Sequence, residues 1–282
     1  MATRRPRVAG QFYEGSPDAL RAQVEGSFKS KIGPGSLPKG PGNEGRIVGA
    51  VVPHAGYVYS GPVAAWSYSA IYRDRRPGSF VILGPNHHGV GSGVSLFPEG
   101  GWETPLGVAP IDEGLAKAIL ETSDIIDRDS EAHAYEHSIE VQLPFLQYLF
   151  GQVRFVPISM MLQDLDTATE VGRDIAKAAK AKGGDAVVVA STDFSHYVPK
   201  AVAHRNDDLA IQRILALDAP GLFKVVEERG ISMCGYGPVM AAIEACSAMG
   251  AKRGELLKYA TSGDVMPMDE VVGYASIALV RP

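Results

Sequence analysis

The chain has 282 residues, 45% of them apolar and 21% charged, the balance of an ordinary globular protein with ample length to bury a core. That excludes a disordered, collagenous or coiled-coil chain. With 27 basic and 32 acidic residues the net charge is −5, and the absence of a basic tract argues against nucleic-acid binding. Two cysteines are too few for a disulfide framework, which points to a reducing compartment. Arg4, Arg5 and Arg7 are followed by no apolar stretch of the signal-peptide kind, and no apolar run approaches ~18 residues. The expectation is a cytoplasmic protein without a membrane partner.

Ser16-Pro17-Asp18 opens the first predicted helix, whose Leu20, Val24 and Phe28 repeat every four residues as one buried stripe. Residues 33–45, with Pro34, Pro38 and Pro41 among glycines, read as a loop. Too few residues precede it for an independent core, so it is expected to be a surface excursion of a single domain spanning 1–282. Short Val- and Ile-rich runs at 47–52, 79–83, 155–158 and 185–190 read as buried strands. Helical patterns fall at 61–73, 113–122, 137–149 and 167–182, the last stopped by Gly183-Gly184. Further helices are expected at 202–217, 220–228 and 238–249, and closing strands at 257–261 and 274–280. This alternation predicts an α/β fold around a mostly parallel central sheet.

Three of the apolar strands run straight into polar, histidine-bearing turns. They continue as Pro53-His54-Ala55-Gly56-Tyr57, as Gly84-Pro85-Asn86-His87-His88-Gly89, and as Ser191-Thr192-Asp193-Phe194-Ser195-His196-Tyr197. Open α/β sheets bind ligands beyond the carboxyl ends of their strands, so four of the seven histidines fall where a site belongs. Asp193, three residues before His196, is suited to orient an imidazole and raise its basicity. Cys234 lies in a Gly-rich loop before a helix opened by Pro238, where the helix dipole would favour the thiolate, a metal ligand or nucleophile. Cys246 shares a face with Val239 and Ala242 and reads as packing. His133-Ala134-Tyr135-Glu136-His137 matches the inverted zincin pattern H-x-x-E-H, with two histidines one helical turn apart. The plainer reading gives Glu136 or His137 a supporting hydrogen bond at the strand-end site. Ser195 lacks the G-x-S-x-G setting of a hydrolytic serine.

Seven motifs in order, from Val8-Ala9-Gly10-Gln11-Phe12-Tyr13 through the three turns, Trp102-Glu103-Thr104-Pro105-Leu106-Gly107, Glu136-His137-Ser138-Ile139-Glu140 and Cys234-Gly235, resemble the Memo family. Its prokaryotic members are labelled AmmeMemoRadiSam system protein B. The resemblance implies a three-layer α/β/α fold similar to class III extradiol dioxygenases (LigB-like), which use non-haem iron(II). It implies metal ligands at His54, His87 and Cys234, with His196 as the acid/base group and Asp193 as its orienter. It also implies iron(II) as the cofactor, with copper or zinc as alternatives because thiolate replaces the dioxygenases' carboxylate. A radical SAM protein is an implied partner by gene association.

Three functions follow as expectations. The first is a metal-dependent redox protein, dioxygenase-like, acting on an unidentified small molecule. The second is a non-catalytic module that binds a peptide or partner in the same cleft, lined by Tyr57, Tyr59, Trp102 and Tyr197. The third is a hydrolase with Cys234 as nucleophile and His196 as base.

Overall fold

Strands buried on both faces need apolar side chains at every position, and the four central strands satisfy this along nearly their whole length. The computed structural model describes residues 3–282. In chain order its elements are β1 (Thr3–Arg4), α1 (Pro17–Lys29), β2 (Ile47–Val52), α2 (Tyr57–Asp74), β3 (Ser79–Pro85), β4 (Val94–Leu96), β5 (Gly101–Thr104) and β6 (Gly107–Pro110). There follow α3 (Glu113–Thr122), β7 (Asp127–Arg128), α4 (Leu143–Phe150), β8 (Phe155–Met160), α5 (Leu165–Ala181) and β9 (Ala186–Ser191). The chain continues as β10 (Val198–Pro199), α6 (Lys200–Leu215), α7 (Ala219–Arg229), α8 (Tyr236–Ala248), β11 (Arg253–Thr261), β12 (Glu270–Val271) and β13 (Gly273–Val280).

The large sheet runs β11-β13-β2-β9-β3-β8-β4-β7. Its centre, β2-β9-β3-β8, is parallel, while β13 and β4 flank it antiparallel and β11 closes one side as a hairpin on β13. Helices α1, α2 and α4 pack together on one face, and α3, α5, α8, α7 and α6 form a second layer. The expected α/β fold with a mostly parallel core is therefore the fold found. One contiguous apolar core draws on residues from Tyr13 to Val280. No helix among the described residues is long and apolar enough to cross a membrane.

Register decides where the site lies. Val52 stands opposite Ser191 and Leu83 opposite Ala190, so β2, β9 and β3 leave the sheet side by side at the same edge. The loop at 33–45 contains no helix or strand and lies along α2, where Gly42 N–H donates to Tyr72 O and Glu44 N–H to Asp74 O. A Cβ at Gly42 would collide with the Arg73 carbonyl, so only glycine permits that approach.

The predicted helix over 137–149 is shorter than expected. The chain makes isolated 3-10 turns at Glu131–His133 and Glu140–Gln142, and α4 begins only at Leu143. The cause is a buried polar hub. Glu140, fully buried, accepts from Arg7 N–H, Val8 N–H, Tyr13 Oη and Arg4 Nη1, the last an ion pair of 2.7 Å. Arg4 also donates to the carbonyls of His133 (2.6 Å) and Glu136 (2.5 Å), and its guanidinium lies 4.1 Å over the Trp102 ring. Carbonyls claimed by an arginine are not free for helix hydrogen bonds, so the backbone stays irregular. Helix α8 starts two residues before Pro238, at Tyr236.

Because both partners of this ion pair are buried, removing one strands the other without water. Glu140→Ala is expected to lower the unfolding free energy by about 3–5 kcal/mol in urea titrations. A loss below about 1 kcal/mol would show that the N-terminal segment is not anchored there.

Candidate metal centre

The carboxyl ends of β2, β3 and β9 deliver His54, His87 and the Thr192–Tyr197 loop to the rim of one cleft of about 460 Å³. The imidazole of His54 meets those of His87 and His137 at ring-centroid distances of 5.3 and 5.5 Å, nearly perpendicular to both. His87 and His137 stack on each other at 4.8 Å with 24° between planes. One ring nitrogen from each of the three lies within 4.8 Å of the others. His88 is exposed, its ring 6.2 Å from that of Tyr135 and one ring nitrogen within 4.8 Å of ligand atoms of Glu136 and His137, its turn held by two backbone N–H groups on the Asn86 side chain.

Hydrogen bonds settle which nitrogen of each ring carries a proton. Ser191 Oγ lies 2.7 Å from the Ser138 carbonyl, which can only accept, so the hydroxyl donates there. Its oxygen then accepts from Gln142 Nε2 (2.8 Å), an amide oriented by donation to Pro53 O and by the Tyr68 hydroxyl on its Oε1. His54 Nδ1, 2.9 Å from the same oxygen, must therefore be the donor, which leaves Nε2 as a bare lone pair. Burial and the neighbouring imidazoles hold the His54 pKa well below normal, so it stays neutral. His87 Nδ1 lies 2.9 Å from Glu136 Oε1 and donates to it, again freeing Nε2. Burial opposes protonation of His87, but the hydrogen bond and charge of Glu136 prevail and raise its pKa.

Glu136 is itself fully buried, and burial opposes its charge. The hydrogen bond from His87, the neighbouring imidazoles and backbone N–H donation outweigh that and hold its carboxyl well below the usual range. It also accepts from the N–H groups of His87 (2.7 Å), His137 (2.8 Å) and Ser138 (2.8 Å), and so locks two loops together. The supporting hydrogen bond expected of Glu136 or His137 is thus made by Glu136. His137 is pushed down to about 4, chiefly by burial.

Cys234 comes from the loop before α8, and its Sγ lies 3.2 Å from His54 Nε2. Asp193 N–H donates to the sulfur at 3.2 Å, and Gln163 spans the Cys234 carbonyl and Gly237 N–H, fixing the turn. The helix dipole was expected to favour the thiolate. Instead burial, reinforced by the Asp193 charge, raises the thiol well above its ordinary pKa, because desolvation outweighs a dipole end one turn away. Without an ion the S–H donates to His54. The spacing of this pair suits an ion, since bonds to imidazole nitrogen and thiolate sulfur separate those atoms by about 3.1–3.6 Å at right-angled to tetrahedral geometry, but the three ligand atoms within 4.8 Å of one another belong to His54, His87 and His137, and Cys234 is not among them.

Asp193 does not hold His196 as expected. Its Oδ1 accepts the His54 N–H at 2.8 Å, while His196 Nδ1 donates to the Ser232 carbonyl at 2.7 Å. That bond turns His196 Nε2 toward the cleft, which His196 helps to line. Burial pushes the Asp193 carboxyl up to about 6. The imidazole beside Cys234 is therefore His54, and not His196 as a hydrolytic pair would have it.

The zincin reading fails on geometry. His133 is fully buried against Phe97 and Trp102, with Nε2 donating to Ser95 O, and shares no helix with His137. Two expected cleft aromatics are elsewhere: Trp102 is buried under Arg4, and Tyr57 donates to Val141 O inside the core. Tyr59 and Tyr197 do line the cleft. Cys246 packs beneath Gly49, as expected of a small apolar residue. Sequence reasoning missed Arg4, Gln142, Ser191 and Ser232, whose partners lie 36 to 137 residues away and leave no local pattern.

A family model described as Memo-like protein matches residues 4–278. A MEMO1 family protein of Methanothermobacter thermautotrophicus is 51% identical over 276 residues, covering 98% of this chain and 99% of that one. A MEMO1 family protein of Methanopyrus kandleri is 50% identical over 280 residues, covering 99% of each. An uncharacterized protein of Escherichia coli K12 shares the fold at 16% identity, with a TM-score of 0.58 over 83% of this chain and 100% of that one.

In metal-free protein, long-range proton–nitrogen spectra at pH 8 are expected to show the Nδ1–H tautomer for His54, His87 and His196. An Nε2–H signal from His54 would break the chain of donors above. His133 is pushed down to about 4, mainly by burial, from an ordinary 6.5. A neutral form favoured by folding stabilises above pH 6.5 and is lost as pH falls through 4, an effect of about 3 kcal/mol. His133→Gln is expected to flatten that part of the stability–pH curve, read by urea titration at each pH. An unchanged slope would contradict the assignment.

Proposed function

The chain belongs to the Memo family, and from that premise we propose that its strand-end cleft is the metal centre of a redox-active protein with dioxygenase-like chemistry. His54 Nε2, His87 Nε2 and Cys234 Sγ would hold the ion. The observation that carries this reading is the 3.2 Å approach of a buried sulfur to an imidazole nitrogen kept free of its proton. A thiol there is a poor nucleophile, since it holds its proton, but it becomes a strong ligand once an ion displaces that proton. His137 is the competing third donor. Its ring stacks nearly parallel to His87, so the in-plane lone pairs of the two run side by side rather than converge. The approach of the sulfur to His54 favours the Cys234 set, while the nitrogens that lie within 4.8 Å of one another are those of His54, His87 and His137, so His137→Ala belongs in the same test.

Two neutral imidazoles and a thiolate accept iron(II), copper or zinc. Iron(II) is the ion this proposal names, and when bound it supplies one-electron redox chemistry and a Lewis-acidic face toward the cleft. The chain's own residues do the rest. Ser191 and Glu136 fix the two rings, each through its Nδ1–H, which makes the opposite nitrogens better donors. Asp193 N–H steadies the sulfur, and its carboxylate holds the His54 backbone in register. His196, tethered at Nδ1, takes or gives a proton at Nε2.

The test is elemental analysis of untagged protein purified and reconstituted without oxygen. About one transition-metal ion per chain is expected, falling at least tenfold in His54→Ala and Cys234→Ser and unchanged in His196→Gln. Wild-type protein that takes up no ion, or His54→Ala that loads normally, would overturn the proposal. Exclusive retention of zinc would remove the redox part.

A further inference from the structure

The cleft has two unlike halves. Its inner end carries the imidazoles and Asp193; its outer wall is built from Phe12, Tyr59, Tyr197, Met268, Val272 and Tyr274. Among the described residues, none that lines it is a lysine or arginine. Two basic residues close in sequence to the loops around the cleft are engaged elsewhere. Arg4 is buried on Glu140, and Lys200, three residues after Tyr197, is paired with Asp264 at 2.5 Å. Acidic side chains are present instead: Glu136 sits behind His87, 2.9 Å from its Nδ1, and Asp193 lines the cavity. A divalent ion held there would have its charge offset by the Cys234 thiolate and Glu136. An anionic ligand would thus lose its water without gaining a counter-charge from the protein.

Tyr197 marks the mouth. Among the described residues it is one of two non-glycine residues with positive φ, at 54°, a conformation that costs a bulky residue energy and gathers at functional positions. The residue is 73% exposed yet lines the cavity, its ring edge-on to His196 at 5.9 Å. A short strand follows it directly. Val198–Pro199 pairs with Glu270–Val271, and the intervening strap carries Met268, whose sulfur accepts from Ser262 Oγ. An aromatic ring left in solvent beside a proton-transfer histidine is placed to cover what enters.

We propose that the cleft takes a neutral, largely apolar small molecule and rejects anions of the same shape, and that the Tyr197 ring covers the bound molecule. This rests on the reading of the cleft as the functional site, and extends it to the class of substrate. A cavity of about 460 Å³ suits a ligand of one or two rings' bulk and not a folded partner. The Tyr274 hydroxyl, buried in that wall, keeps its proton and serves as an uncharged donor.

The probes are 2-naphthol and 2-naphthoate, matched in shape and opposite in charge state at pH 7, measured by equilibrium dialysis. Each is titrated against metal-loaded and chelator-stripped full-length protein, with metal content measured on the same samples. Naphthol is expected to bind both forms, and naphthoate at least tenfold more weakly in the stripped form. Tyr197→Asn keeps a residue that tolerates positive φ while removing the ring, and is expected to weaken naphthol binding at least fivefold without changing metal content. Naphthoate binding equal to or tighter than naphthol in stripped protein, no binding of either probe, or wild-type affinity in Tyr197→Asn would each overturn the inference. The stripped arm reads the cleft wall alone, so a failure of metal binding leaves this result standing, and the reverse also holds.

Discussion

A buried carboxylate with no water must be surrounded by donors, and Glu136 is where this molecule concentrates that requirement. Its two oxygens take one imidazole N–H and three backbone N–H groups from the two loops that meet at the cleft. Burial alone would neutralise the acid; these donors keep it ionised. The consequence runs outward from there. His87 has its tautomer and ring plane set, and the loop containing His137 has no freedom to drift. Whatever the cleft does depends on this one charge being satisfied.

Glu140, four residues on, repeats the device in the opposite direction. It gathers the N-terminal segment through Arg4, Arg7, Val8 and Tyr13, and Phe12 of that segment packs edge-on to His137 at 4.7 Å. Stability and site geometry therefore share the same short stretch, residues 136–140. Neither carboxylate can be removed without leaving several buried donors empty. The irregular backbone there follows from the same fact: carbonyls and amides engaged with arginine and carboxylate are withdrawn from helix formation.

The site combines rigidity below with strain above. His54 and His87 rest on strand ends, the sulfur on the loop before α8, and His54 also on a chain of oriented hydroxyl and amide groups reaching Tyr68. The mouth is formed by Tyr197 in a left-handed backbone conformation and by a methionine-bearing strap. A floor whose donors are fixed before anything binds has little to reorganise, which is the condition for tight and directional coordination. The outer wall is free of that constraint and is the part open to differ with the ligand.

Much of this was legible in the residues. Continuous Val/Ile runs can only be strands covered on both faces, and a histidine turn following each of three such strands placed His54, His87 and His196 at one edge before any coordinates. The boundaries of α3 were readable to the residue because Asp112 caps it and its apolar spacing is regular. Residues 137–149 misled, since a helical pattern is read from spacing while the backbone obeyed Arg4, more than 120 residues away in sequence. The pKa of Cys234 also went the other way, because a dipole can be inferred from a loop-to-helix junction but the extent of burial cannot. Local composition determined the elements, the fold class and the candidate residues. Only the tertiary structure decided which proton sits on which nitrogen, that Ser232 and not Asp193 holds His196, and that the sulfur faces His54, since each of these turns on groups brought together by packing rather than by sequence.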